Sequence, residues 1–407
     1  MRTLVIETRN NDAKELRDFD STSPTSSNAG APMKLFACQN CGNPLYFENT
    51  RCERCQHHTG YIPDLEVMSA VKPDGDKWIA LVDPGKRYRF CANWELHACN
   101  WLVRTDSGAT HCRACQHNRT IPDISDPSRH ALWQRIEQAK RRLIYSLIKL
   151  KLPMPSLASG EQAPLVFDFL ADAPQQRIMT GHDDGIITIS LREADDVARE
   201  ETRTFLHEPY RTLLGHFRHE VGHFYWDRLV RDGGQLDSFR AVFGDERADY
   251  GSALQNYYDN GPAANWQNSY VSAYATMHPW EDFAETWAHY LHIVDTLEMA
   301  YAFHLSVNPR IEEAPSATVD RNPYRAANVT ALMDAWLPIT FAVNSLNRSM
   351  GQPDLYPFVI SEPAIAKLQY VHDLIHGALA KPEQPHKTQP SEQQRGWLRA
   401  KRLIGAA

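Results

Sequence analysis

The sequence predicts an α+β protein: a mainly helical domain with a small sheet, preceded by tandem small cysteine-bearing modules. Three observations carry that expectation. All eight cysteines lie between positions 38 and 115 of the 407 residues. Two runs with strand character, LVFDFL (165–170) and IITISL (186–191), stand in the middle of the chain. After them the apolar residues recur mainly at spacings of three and four, the period of amphipathic helices.

Residues 1–32 are rich in Ser, Asn, Asp and Thr and lack a sustained apolar period, which predicts a disordered leader. Residues 33–125 combine the cysteines with short strand-like runs (KWIALV, RYRFC) and many turn residues. A helix is expected from about Pro127 to Lys151. Asp126 suits its N-cap, Pro127 its first turn, and Leu132, Ile136, Leu143, Leu147 and Leu150 recur at helical spacing. Further helices are expected over 209–229, 279–303, 326–349 and 362–379, within a domain spanning 126–380. The polar, Pro-containing stretch 381–407 predicts a disordered tail.

The net charge is −7, with acids and bases mixed along the chain. That gives no clustered basic surface for nucleic acid or an anionic membrane. No apolar run reaches about 18 residues, so no membrane-spanning helix is expected. The first residues lack the basic region, long apolar stretch and small-residue cleavage site of a secretory signal, which predicts a cytoplasmic protein. In that compartment metal ligation is a better use of eight cysteines than disulfides.

The first cysteine set is Cys38-x2-Cys41 with Cys52-x2-Cys55; the second is Cys91-x7-Cys99 with Cys112-x2-Cys115. Two CxxC turns can bring four thiolates to one point, which suits tetrahedral zinc. The second set is stretched in its first pair, but an internal repeat supports it: CERCQHHTGYIPDL from Cys52 and CRACQHNRTIPDIS from Cys112. Four protein ligands leave no open position, so both sites are expected to hold structural zinc. Modules this small need the binding energy to fold. Reduced cysteines or an iron–sulfur cluster are the alternatives. Such ribbons also suit a protein partner.

His219-Glu220-Val221-Gly222-His223 matches HExxH. Histidines four apart share a helix face and can grip one ion, with Glu220 beside it to take a proton from water. A five-residue match needs context. The second helix supplies it with Glu281 and Glu285, four apart beside an apolar stripe of Trp280, Phe283, Trp287 and Leu291. Glu281 is the expected third ligand, and Glu285 the acceptor for a ligand histidine's other ring N–H. Asp245 and Asp249 compete with Glu281 for that role. Tyr274 and His278 flank the start of the helix; Tyr274 is the candidate donor to a developing oxyanion, and His278 is expected beside the ligands as a supporting residue. The strand 186–191, just before the HExxH helix, is expected at a sheet edge where a peptide could add as a further strand.

The runs KLFACQNCGNPLYFEN, RHEVGHFYWDRL, FGDERADY, SAYATMHPWEDFAETWAHYLHI and YPFVISEPAIAKLQYVHDLIH carry a resemblance. The chain from about Met33 to Gly377 resembles a bacterial family of zinc-binding metallopeptidases with an N-terminal zinc ribbon. The resemblance implies a zincin-like fold, a catalytic zinc on His219 and His223, and Glu220 as base acting on a peptide or protein substrate. EDFAE also looks like the second helix of gluzincin toxin proteases, which implies Glu281 as ligand and Tyr274 as its assistant. The alternative, from another class, is a zinc-ribbon adaptor whose zincin domain only binds.

Overall fold

Each half of the internal repeat runs from a CxxC turn into a strand, and the two strands enter different sheets. The computed structural model describes residues 35–379 apart from 174, 176, 206–211 and 312. The expected leader and tail lie outside the described residues, as does the start of the helix expected from Pro209.

Strands β1 (Leu35–Ala37) and β2 (Pro44–Tyr46) pair as a hairpin that presents Cys38 and Cys41 at its turn. After Cys52 and Cys55 comes β3 (His58–Ile62), the first strand of an antiparallel sheet. Its order is β3-β4-β5-β6-β7, with β4 Val67–Asp74, β5 Lys77–Ala80, β6 Asp83–Phe90 and β7 Leu102–Arg104. The sheet curls until β3 meets the chain entering β7: Tyr61 bridges Trp101 in parallel. At that seam a Cβ on Gly60 would lie 2.7 Å from Leu102 Cγ, so only glycine fits. The isolated strand-like runs of the sequence are therefore parts of one curled sheet.

After Cys112 and Cys115 comes β8 (Asn118–Thr120), which pairs in parallel with β9 (Val166–Leu170). Helix α1 (Pro127–Lys149) is the crossover that a parallel pair requires. Asp126 caps it by accepting from Ser128 N at 2.8 Å. The second sheet runs β10-β11-β9-β8, with β10 Gly181–Asp183 and β11 Ile186–Ser190. The cysteine-bearing region thus supplies an outer strand to the sheet of the following domain.

The strand expected at the edge, 186–191, is interior; the edge belongs to β10. Asp184 (φ 44°) and Gly185 (φ 86°) both have positive φ, as a two-residue hairpin turn demands. That turn folds Gly181–Asp183 back along β11 in antiparallel register.

The helices are α2 (Asp196–Phe205), α3 (Leu213–Tyr225), α4 (Leu236–Phe243), α5 (Tyr250–Asn260), α6 (Pro279–Ala302), α7 (Val329–Ser349) and α8 (Glu362–His376). A two-stranded ladder of β12 (Ser306–Val307) and β13 (Ala317–Thr318) lies between α6 and α7. Five of the helices, α1, α3, α6, α7 and α8, follow the expected spans among the described residues; α2, α4 and α5 were not expected. Thr212 caps α3, and a π-helical stretch at Trp226–Arg231 continues it. Helices α3 and α6 pack so closely that a Cβ on Gly222 would sit 3.0 Å from Ala284 Cα. Phe283, Trp287, Leu291 and Val294 of α6 are buried around that contact. By length and composition alone α7 is apolar enough to cross a bilayer, and a third of that window is buried. Its polar residues had broken the continuous run sought in the sequence. Leu332, Met333, Trp336 and Ile339 pack into the core.

Candidate metal centre

The α3–α6 contact sets the site. Amphipathic spacing turns His219 and His223 toward α6, and the absent side chain at Gly222 lets α6 approach. His219 Nε2 and His223 Nε2 are 3.2 Å apart. Glu281 Oε2, from the first turn of α6, stands 3.0 Å and 3.4 Å from them. Tetrahedral zinc with ligands at about 2.0–2.1 Å would separate its ligand atoms by about 3.3–3.4 Å. Glu281 is 2 % exposed, and its Oε2 makes no hydrogen bond among the described residues. A buried carboxylate oxygen facing two ring nitrogens is what a cation between them would require. His219, His223 and Glu281 therefore fit a metal ion.

The surroundings orient these three groups. His219 Nδ1 donates to Glu285 Oε1 at 2.6 Å, and Ser272 Oγ donates to Glu285 Oε2 at 2.6 Å. That fixes the His219 tautomer with Nε2 free for the ion. His223 has no partner for Nδ1 among the described residues and is held by Trp280, whose ring centroid is 3.6 Å away. Burial opposes charge on His219, yet Glu281 and Glu285 hold its pKa well above the usual histidine range. Burial likewise opposes charge on Glu281, and the two histidines hold it well below the carboxylate range.

Glu220 is 7 % exposed. Burial pushes its carboxyl up to about 7, with His219 opposing and Glu281 adding to the rise. Tyr274 stands with its ring 6.1 Å from that of His219 and its hydroxyl against that of Tyr250. Burial raises its pKa well above the usual tyrosine value.

His278 does not take the expected place beside a ligand. Its Nδ1 accepts from Trp280 N at 3.1 Å, capping α6, and its Nε2 donates to Ala248 O at 3.0 Å. Asp245 pairs with Arg247 at 2.8 Å, and Asp249 caps α5 through Ser252 N at 2.8 Å, so neither competes for the ion. Sequence reasoning missed Tyr250, whose hydroxyl donates to Glu281 Oε1 at 2.8 Å. The only signal for it was the Tyr-Gly pair after FGDERAD.

The cysteines also converge. Cys38 to Cys55, Cys41 to Cys52 and Cys99 to Cys112 have Sγ atoms 3.6 Å apart, and none of the eight forms a disulfide. Tetrahedral zinc at about 2.3 Å from each sulfur spaces the sulfurs by about 3.8 Å. Each set of four, Cys38, Cys41, Cys52, Cys55 and Cys91, Cys99, Cys112, Cys115, is a group able to hold one ion. The second set is wholly buried, and burial drives Cys99 and Cys112 well above the usual thiol range. A cation among them removes that cost.

An α+β chain that gathers two helical histidines and a distant glutamate on one point, behind two four-cysteine clusters, is by class a metal-binding protein with separate sites. Its family can be named: the chain belongs to the one described as "Putative zinc-binding metallo-peptidase", whose model matches residues 129–374. A zinc-ribbon domain model matches residues 35–126. The chain is also 40% identical over 344 residues to uncharacterized proteins of Mycobacterium bovis and of Mycobacterium tuberculosis strains CDC 1551 and H37Rv. Each alignment covers 84% of this chain and 95% of the relative. No solved structure matches.

Proposed function

We propose that this protein is a zinc-dependent peptidase of zincin-like, gluzincin type, hydrolysing peptide bonds at His219, His223 and Glu281. One observation carries the reading: Glu281 Oε2, without a hydrogen bond, stands 3.0 Å and 3.4 Å from the two ring nitrogens, beside an intact Glu220. Zinc held there supplies Lewis acidity toward water and a carbonyl oxygen. Glu220 takes the proton from the attacking water and passes it to the leaving amine. Tyr274 donates to the oxyanion, and Glu285 keeps His219 in the required tautomer. The open edge of β10 offers the substrate main chain a pairing partner near the ion, since His182 on that strand lies with its ring 6.2 Å from that of His223. The two cysteine clusters hold structural zinc, the ribbons suit a protein partner, and the cytoplasm suits the reduced cysteines.

Metal analysis and a peptide library test this. About three zinc ions per chain are expected, two structural and one catalytic. Glu281→Ala should lose one ion. Glu220→Gln should keep all of them and lose cleavage by a factor of at least about 10². A fully metallated protein inert toward every peptide would refute the peptidase reading and favour the adaptor.

A further inference from the structure

Tyr250 opens α5, a helix none of whose residues is buried. Glycines at positive φ flank its segment, Gly244 at 101° and Gly261 at 75°. Two tyrosines tie the helix to the metal centre. Tyr257 stands edge-on to Tyr274 with ring centroids 5.6 Å apart. The Tyr250 hydroxyl donates to Glu281 Oε1 at 2.8 Å, and its ring lies 5.4 Å from that of His278 and 6.0 Å from that of Trp280.

The two oxygens of Glu281 thus have different fates. Oε1 is taken by Tyr250, whereas Oε2 faces the histidines and makes no hydrogen bond. An unrestrained carboxylate can close on a cation with both oxygens, which would add a fifth ligand atom beside the water of an open three-ligand site and crowd its position. We propose that Tyr250 is a positioning residue: by holding Oε1 it keeps Glu281 a one-oxygen ligand and leaves the fourth position open. The assignment rests on the reading above that His219, His223 and Glu281 hold the ion. It does not require Tyr250 to touch substrate. Tyr250 is 37 % exposed and Tyr250→Phe keeps its ring, so loss of one hydroxyl removes no core packing and its effect falls on the metal and not on the fold.

The test compares wild type, Tyr250→Phe and His219→Ala as full-length proteins with ribbon zinc retained. Zinc affinity of the third site is measured by chelator competition. Cobalt loaded into that site alone reports coordination number through its visible spectrum, and thermal melting reports the fold. For Tyr250→Phe we expect zinc about 10–100-fold weaker, a cobalt spectrum shifted from intense four-coordinate to weak five-coordinate absorption, and an unchanged melting temperature. Unchanged affinity and spectrum in Tyr250→Phe would overturn the assignment. So would a melting temperature that falls along with the affinity, since Tyr250 would then be a structural anchor. If His219→Ala binds the third ion as tightly as wild type, the metal-site reading itself fails, and this assignment falls with it.

Discussion

Glu285 spends one oxygen on His219 and the other on Ser272, at 2.6 Å each, so the orientation of His219 depends on a carboxylate outside the His219, His223, Glu281 cluster. Glu285→Ala should leave the fold intact and weaken the third zinc by about 10–100-fold, read by competition with a chromophoric chelator. An affinity equal to wild type would mean that packing alone orients His219. That His219, His223 and Glu281 meet was legible in the sequence because HExxH and the Glu281/Glu285 pair each lie on one helix, where spacing fixes direction. Tyr250 was not, since it reaches Glu281 across 31 positions from a separate helix of 11 residues. His278 misled because a histidine near a ligand in sequence is equally suited to capping, and here its ring nitrogens go to backbone atoms.

At the scale of elements, the close crossing of α3 and α6 brings His219, His223 and Glu281 together, and Gly222 permits it. Alanine is better in an isolated helix than glycine by about 1 kcal/mol. Here the added methyl would meet the Ala284 backbone at 3.0 Å, and backbone does not yield as a flexible side chain can. Gly222→Ala should therefore destabilise the protein by about 1–3 kcal/mol, measured as a lower melting temperature. A rise would show that α6 can retreat. The long helices α1, α6, α7 and α8 could be read from their period because each buries a stripe. Helices α2, α4 and α5 span 10, 8 and 11 residues, too short for a clear period. The place of β11 was misjudged because the Asp184–Gly185 turn reads as a loop, while its geometry forms a hairpin.

Across the whole molecule, the second cysteine cluster joins the ribbon region to the rest. Cys115 Sγ lies 3.8 Å from Glu137 Oε2 on α1, and Glu137 pairs with Lys140 at 2.7 Å, both side chains wholly buried. Lys140 thus offsets negative charge from Glu137 and lies within electrostatic reach of Cys115 and Cys112. Lys140→Met should leave that charge uncompensated and cost about 3–5 kcal/mol, seen in denaturant unfolding. A smaller loss would mean that the neighbouring Arg141 suffices. Accessibility separates the clusters as well: Cys41 and Cys55 are half-buried, whereas Cys91, Cys99, Cys112 and Cys115 are buried. A chelator should strip the first cluster well before the second, and far-ultraviolet circular dichroism should change mainly with the second loss. Equal rates would contradict the difference in burial.

Because β8 arises from the second ribbon and lines β9, the ribbon region cannot be trimmed away without harm. A fragment begun at residue 126 would leave the flank of the buried strand Val-Phe-Asp-Phe-Leu bare, its backbone donors and acceptors open to any passing chain. Such a truncation should precipitate on expression, whereas one begun at residue 33 would keep that flank covered.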